Sequence, residues 1–137
     1  MNHQDTKTPR ELIPERTDRI AGCIVDAAFR VHSNLGPGLL ESVYEACLTH
    51  ELKKRGMRVE RQRPVPIVYD GIRLQTELRL DMLVQDYVLI ELKTVESLLP
   101  VHHAQVLTYL KLSGLRLGLL INFNVPLIKK GIKRIVL

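Results

Sequence analysis

The sequence predicts an α/β domain of α+β character, a central mixed sheet flanked by helices. Three observations predict it. Two segments with helical apolar spacing come first, separated by a Gly/Pro turn. A stretch of alternating period follows, punctuated by Asp70-Gly71 and Gln85-Asp86. A further helical segment then hands over to a short apolar run, the pattern of a crossover onto a buried, parallel strand.

Residues 1–16 carry mixed charge and no apolar period, so they read as a flexible lead, with a single domain over 17–137. Thr17 is placed to cap the first helix, in which Ile20, Ile24, Ala27, Ala28 and Val31 recur at helical spacing. The run Ser33 to Gly38 holds two glycines and a proline and should stop it. A second helix is expected from about Leu39 to Arg55, with Leu40, Val43, Tyr44, Cys47, Leu48 and Leu52 as its apolar stripe. Lys53, Lys54 and Arg55 suit its C-terminus, and Gly56 the left-handed position beyond.

Val59 to Val68 reads as a strand that Pro64 and Pro66 confine to an edge. Asp70-Gly71 signals a tight hairpin. Ile72, Leu74, Thr76, Leu78, Leu80, Met82 and Val84 then alternate with polar residues, which predicts a long half-buried strand. Beyond Gln85-Asp86, Tyr87 to Val95 completes an antiparallel meander. A third helix opens at Pro100, lined by Val101, Ala104, Val106, Leu107, Leu110 and Leu112, and ends at Gly114. Leu115 to Phe123 is the buried strand, and Gly131 to Leu137 a last edge strand.

The net charge is +5 with a pI near 9.4, a balance that favours an anionic partner such as nucleic acid. Two basic clusters stand out, Lys53 to Arg63 (Lys53, Lys54, Arg55, Arg58, Arg61 and Arg63) and Lys129 to Arg134; each reads either as a solvated face or as a phosphate contact. No apolar run is long enough to cross a bilayer, and the polar start Met1 to Asp5 lacks the layout of a secretory signal. A cytoplasmic protein with no membrane partner is expected. Cys23 and Cys47 are too few for a disulfide framework and read as core residues. Aromatics are sparse and Trp is absent, which disfavours a platform for stacking single-stranded bases.

The residues that carry chemistry lie in the meander. Glu91 and Lys93 are two apart on a strand and so share a face. Asp81 lies on the preceding strand, about as far from the Gln85-Asp86 turn as Glu91 does, so pairing brings the two carboxylates together. Like charges that close repel unless neutralised, and a hard divalent cation such as Mg²⁺ is the natural neutraliser. A bound cation lowers the pKa of its water and stabilises charge on a phosphate under attack. Lys93 would sit beside it, orienting or activating that water. Gln105 and Tyr109 are four apart on the third helix and share a face that either borders the core or packs beside this site. Cys47 with His50 gives two ligands, too few for zinc. The adjacent His102 and His103 point apart on a helix.

Gly38-Leu-Leu-Glu41-Ser-Val-Tyr44, Leu80-Asp81, Glu91-Leu92-Lys93 and Gln105-Val-Leu-Thr-Tyr109 occur in an order and spacing that resembles the GxxExxY proteins, a group within the PD-(D/E)XK nuclease superfamily. The resemblance runs from about Ile20 to the C-terminus. It implies a restriction-endonuclease-like core in the order αβββαβ. It implies that Asp81 and Glu91 bind Mg²⁺ or Mn²⁺ with the Leu92 carbonyl, that Glu41 adds an acid near the metal, that Lys93 positions or activates water, and that Gln105 supports the site or the substrate. Leu80 stands where the superfamily's name has proline.

The expected function is metal-dependent hydrolysis of phosphodiester bonds in DNA, or less favourably RNA, with endo- or exonucleolytic cleavage left open. Tyr109, Lys53, Lys54, Arg55, Arg61 and Arg63 are the candidate substrate contacts. The alternative is a non-catalytic module on the same fold that grips nucleic acid or a protein. A homodimer through apolar strands or helices is the third reading.

Overall fold

A computed structural model describes residues 12–137; the expected lead falls largely outside the described residues. Helix α1 spans Glu15–Leu35 and starts two residues before the cap expected at Thr17. Pro14 is the reason. It fixes φ and its carbonyl accepts from Asp18 N–H at 3.1 Å, so the helix opens directly after it. Thr17 lies inside the first turn and is buried.

Helix α2 spans Glu41–Lys54 and buries Tyr44, Leu48, Thr49 and Leu52. Leu40 and Val43, expected in its apolar stripe, are exposed. Leu40 precedes the helix in extended backbone, and the buried face is centred on the 44–48–52 row instead. Gly56 takes the left-handed conformation expected after the helix end, with φ 80°.

Five strands form one sheet in chain order: β1 Val59–Tyr69, β2 Ile72–Val84, β3 Val88–Lys93, β4 Leu117–Asn122 and β5 Ile132–Val136. Every pairing is antiparallel except β3 with β4, which is parallel. Helix α3, Pro100–Ser113, makes the crossover between those two and ends at Gly114 in the left-handed region. The Asp70-Gly71 turn has both residues at positive φ, 54° and 74°, which matches the right-handed twist of a tight hairpin. Gln85 and Asp86 repeat that geometry. β1 is an edge strand, as its prolines require, and β5 is the other edge. A one-turn helix, α4 (Ile128–Gly131), precedes β5 and has no counterpart in the periodicity.

Helices cover both faces of the sheet. α1 and α2 pack on one side over Met82, Val84, Val88, Ile90, Leu92, Leu119 and Phe123. α3 packs on the other through Val106 and Leu110 over Val65, Leu80, Leu89, Leu120 and Ile135. Gly118 permits the close approach of α3, since a Cβ there would lie 2.8 Å from Val106 Cγ1. The third helix thus uses less of its expected stripe; Val101 and Leu112 are exposed.

β2 departs from a single alternation. Met82 and Val84 face α1 and α2, whereas Leu80 and Leu78 belong to the α3 side, although all four have the same parity. The strand turns over at Asp81. Opposite it on β1, Gln62 adopts φ 53°, and the regular pairing steps from Arg61↔Met82 to Arg63↔Leu80 without it. β3 accompanies β2 only over Met82–Val84, so Arg63 to Leu80 projects as a two-stranded arm.

Candidate active site

The β2–β3 ladder ends at Met82↔Ile90. One step further, carboxylates take over from backbone. Asp81 N–H donates to Glu91 Oε1 at 3.2 Å, and Leu92 N–H donates to Asp81 Oδ2 at 3.0 Å. Each acid thereby satisfies a main-chain donor of the opposite strand, which holds the two carboxylates together where the strands part. The hairpin register expected from the sequence produces this meeting. The kink at Gln62 and Asp81 opens it.

Lys93 ends β3, opposite Asn122 at the end of β4. Asn122 is buried and clasps the chain beyond Lys93: Val95 N–H donates to its Oδ1 at 3.1 Å, and its Nδ2 donates to Val95 O at 2.9 Å. Phe123 N–H donates to Lys93 O at 3.1 Å. Sequence reasoning missed Asn122. Its signal was there, a lone polar residue closing an otherwise apolar strand.

Glu41 opens α2 and reaches the same neighbourhood. Tyr44 sets its approach. This fully buried ring stacks on Phe123 with centroids 4.5 Å apart, and its hydroxyl donates to Gly36 O at 2.6 Å and accepts from Leu39 N–H at 3.1 Å. The loop ahead of Glu41 is therefore tied to the sheet. One turn on, Glu45 accepts from Arg61 at 2.9 Å and Gln62 at 3.1 Å, locking the β1 kink onto α2. Glu45 and Gln62 were also missed, because neither belongs to a motif and the kink cannot be read from alternation.

Electrostatics draws these groups into one site. Glu91 is 3% exposed; burial first, then the neighbouring Asp81 carboxylate, push its carboxyl up to about 9, against the lowering charge of Lys93. Glu41 is also pushed up, by burial and then by Asp81 and Glu45, again opposed by Lys93. The Tyr109 phenol is raised by burial and by the charges of Glu91 and Asp81, and Gln105 Nε2 donates to its oxygen at 3.0 Å. Asp81 thus acts on acids from α2 and β3 and on a phenol from α3.

Among the described residues, no three His, Cys, Asp or Glu side chains converge into a ready-made metal cluster. The donor set nonetheless fits a hard, largely hydrated cation, which takes one or two carboxylates and keeps several waters. A second positive charge between Asp81 and Glu91 would replace the proton that burial places on Glu91.

The remaining expected contacts scatter. Lys53, Lys54 and Arg55 lie at the far end of α2, about 18 Å along its axis from Glu41. Lys54 and Arg55 lie beside Glu51, Arg61 pairs with Glu45, and Arg63 pairs with Glu60 and Asp86. His102 Nδ1 accepts from Leu99 N–H at 2.9 Å, a helix-start role. Cys23 and Cys47 are free and partly buried. Among the described residues, no helix is long and apolar enough to cross a membrane.

A five-stranded mixed sheet between helical layers, with two acids and a lysine where its central hairpin parts, defines an α+β domain of the restriction-endonuclease-like class. The chain belongs to the PD-(D/E)XK nuclease superfamily, whose family model matches residues 18–135. No curated protein and no solved structure matches it.

Proposed function

We propose that the protein is a metal-dependent nuclease of the GxxExxY group that hydrolyses phosphodiester bonds in DNA, with RNA the less favoured substrate. The observation that carries this reading is the Asp81–Glu91 pair, two carboxylates held against each other beside Lys93 at the parting of two strands. Superfamily membership supports it.

Asp81 and Glu91 would hold Mg²⁺ or Mn²⁺ with the Leu92 carbonyl, and Glu41 would join through water. The cation would supply Lewis acidity and a water of lowered pKa. Lys93 closes β3 two residues before the Val95 backbone that Asn122 clasps, and it would orient that water and offset negative charge developing on the phosphate. Gln105 keeps Tyr109 at the rim, where the pair can hold the substrate. Of the two basic clusters, the C-terminal one lies at the end of the sheet where Lys93 emerges. Lys129 and Lys130 are exposed on α4, directly beyond β4 and the loop that follows Asn122. These lysines suit phosphate contacts better than Lys53 to Arg55 do.

The test is a cleavage screen over duplex, single-stranded, nicked and branched substrates with Mg²⁺ and Mn²⁺. Wild type should cut at least one substrate in a metal-dependent manner. Lys93→Ala should lose roughly 10²–10³-fold in rate, the scale of one charge-stabilising donor, and Asp81→Ala should lose all detectable activity. Cleavage unchanged in both variants would refute the assigned site.

A further inference from the structure

On the α3 face of the sheet, two strands out from the acids, lies a small basic depression. By register, Glu91 pairs with Leu120 on β4, and Leu120 pairs with Lys133 on β5. Glu91 shares parity with Leu89, and Lys133 with Ile135. Leu89 and Ile135 both belong to the core under α3, so Glu91 and Lys133 emerge on one face. Two strand spacings of about 4.8 Å put them about 10 Å apart, backbone to backbone. Lys130 of α4, Glu96 and Ser97 of the loop after β3, and the buried Asn122 complete the lining around a volume of about 280 Å³.

The depression is built on fixed parts. Gly131 lets α4 close onto the end of β4, since a Cβ there would lie 2.1 Å from Asn122 O, and that approach brings Lys130 to the lining. Asn122 uses its side-chain amide on Val95 and Asn124, which holds the loop carrying Ser97 as the opposite wall. Among the described residues, no acid pairs with Lys130 or Lys133, Glu96 included. The two lysines less Glu96 leave one net positive charge. That offsets the single charge of an internal phosphodiester and falls short of a terminal phosphate, which carries about −1.5 to −2. The volume is also below the roughly 300–1,000 Å³ that encloses a whole small ligand, so it suits an anionic group rather than a nucleobase.

We infer that this depression anchors an internal phosphodiester of the strand being cut, held by Lys130 and Lys133 with the Ser97 hydroxyl as a further donor. The inference rests on the nuclease reading and extends it to substrate class: a polynucleotide that continues past the cut toward β5, not a strand end. A separation of about 10 Å is roughly three steps of the 3.4 Å rise per nucleotide, so the anchored phosphate lies within about three nucleotides of the scissile one. This contact is made alike in the bound state and in the transition state. It therefore lowers KM and leaves kcat nearly unchanged.

The experiment pairs two readouts. One is Mn²⁺-dependent cleavage of an oligonucleotide duplex carrying a single neutral methylphosphonate linkage. The other is the salt dependence of binding to the unmodified duplex without metal. Wild type should show a gap, an uncut bond within about three nucleotides to one side of the neutral linkage. Lys130→Ala with Lys133→Ala should raise KM, and should cut that bond equally with and without the neutral linkage. Lys129→Ala, exposed on the same helix but outside the depression, should keep the gap. The double variant should also lower the salt slope of binding by about 1. Strands ending in phosphate or in hydroxyl should be cut alike. A gap that survives in the double variant, no gap in wild type, or a preference for phosphorylated ends would overturn the anchor and leave the nuclease reading standing. A wild type that cuts nothing would refute the nuclease reading instead. The salt slope then decides the anchor, and an unchanged slope in the double variant would overturn that as well.

Discussion

Glu91 is where the chemistry of single residues is sharpest. Its carboxyl is nearly inaccessible and beside another acid, so the metal-free protein holds it protonated at neutral pH. The unfolded chain ionises it above about 4.5, and the folded chain only above about 9. Between those values the unfolded state binds fewer protons, so the stability of the metal-free protein falls as pH rises through that window. Glu91→Gln removes that penalty. Its melting temperature in chelator should exceed that of wild type by several degrees, at roughly 4 °C per kcal/mol for a chain this size, and the gap should widen with rising pH. A pH-independent gap, or a lower melting temperature, would show that Glu91 is ionised in the fold. Asp81, Glu91 and Lys93 were legible from sequence because strand parity and hairpin register are local rules. Asn122 was legible only as a lone polar residue closing an apolar strand, and Glu45 and Gln62 were not legible, because their partners lie 16 and 17 residues away in sequence.

Among the elements, the three long helices, the meander and the crossover strand follow from apolar period and turn chemistry, and the structure has them within a few residues of the expected ends. What period alone does not give is which layer a face meets. The turnover of β2 at Asp81 moves Leu80 and Leu78 from one core to the other, and no feature of the alternation announces it. α4, at four residues, is too short to show a period. Its Gly131 is nonetheless constrained, since a Cβ there would lie 2.1 Å from Asn122 O, so that backbone would have to shift. Gly131→Ala should therefore cost about 1–3 kcal/mol, the usual penalty of overpacking. It should also displace the end of β4 that clasps Val95, so cleavage should fall along with stability. A urea midpoint equal to that of wild type would show that the turn has slack.

Across the molecule, the basic side chains are less available as individual phosphate contacts than their number suggests. Much of the 53–63 cluster is paired with acids of the chain itself, and Arg134 pairs with Asp18. Among the described residues, Lys129, Lys130 and Lys133 pair with no acid, and they lie toward the end of the sheet that carries Lys93, which makes them the phosphate contacts the proposed function favours. With those contacts made, the logarithm of the binding constant for duplex DNA should fall linearly with that of salt. Replacing Lys129, Lys130 and Lys133 with Ala should then reduce the slope by roughly 0.9 for each phosphate no longer neutralised. Lys53→Ala with Lys54→Ala should leave the slope nearly unchanged, and the reverse pattern would move the nucleic-acid path to the far end of α2.

Everything proposed for the site turns on one exchange, in which Glu91 gives up its proton as one divalent cation binds between it and Asp81. Calorimetric titration of wild type with Mn²⁺ at neutral pH, in two buffers of different ionisation enthalpy, reads both quantities together. One ion should bind per chain with about one proton released, and both signals should vanish in Asp81→Asn and Glu91→Gln. Binding of equal strength in wild type and both variants, or no binding in wild type, would rule the exchange out.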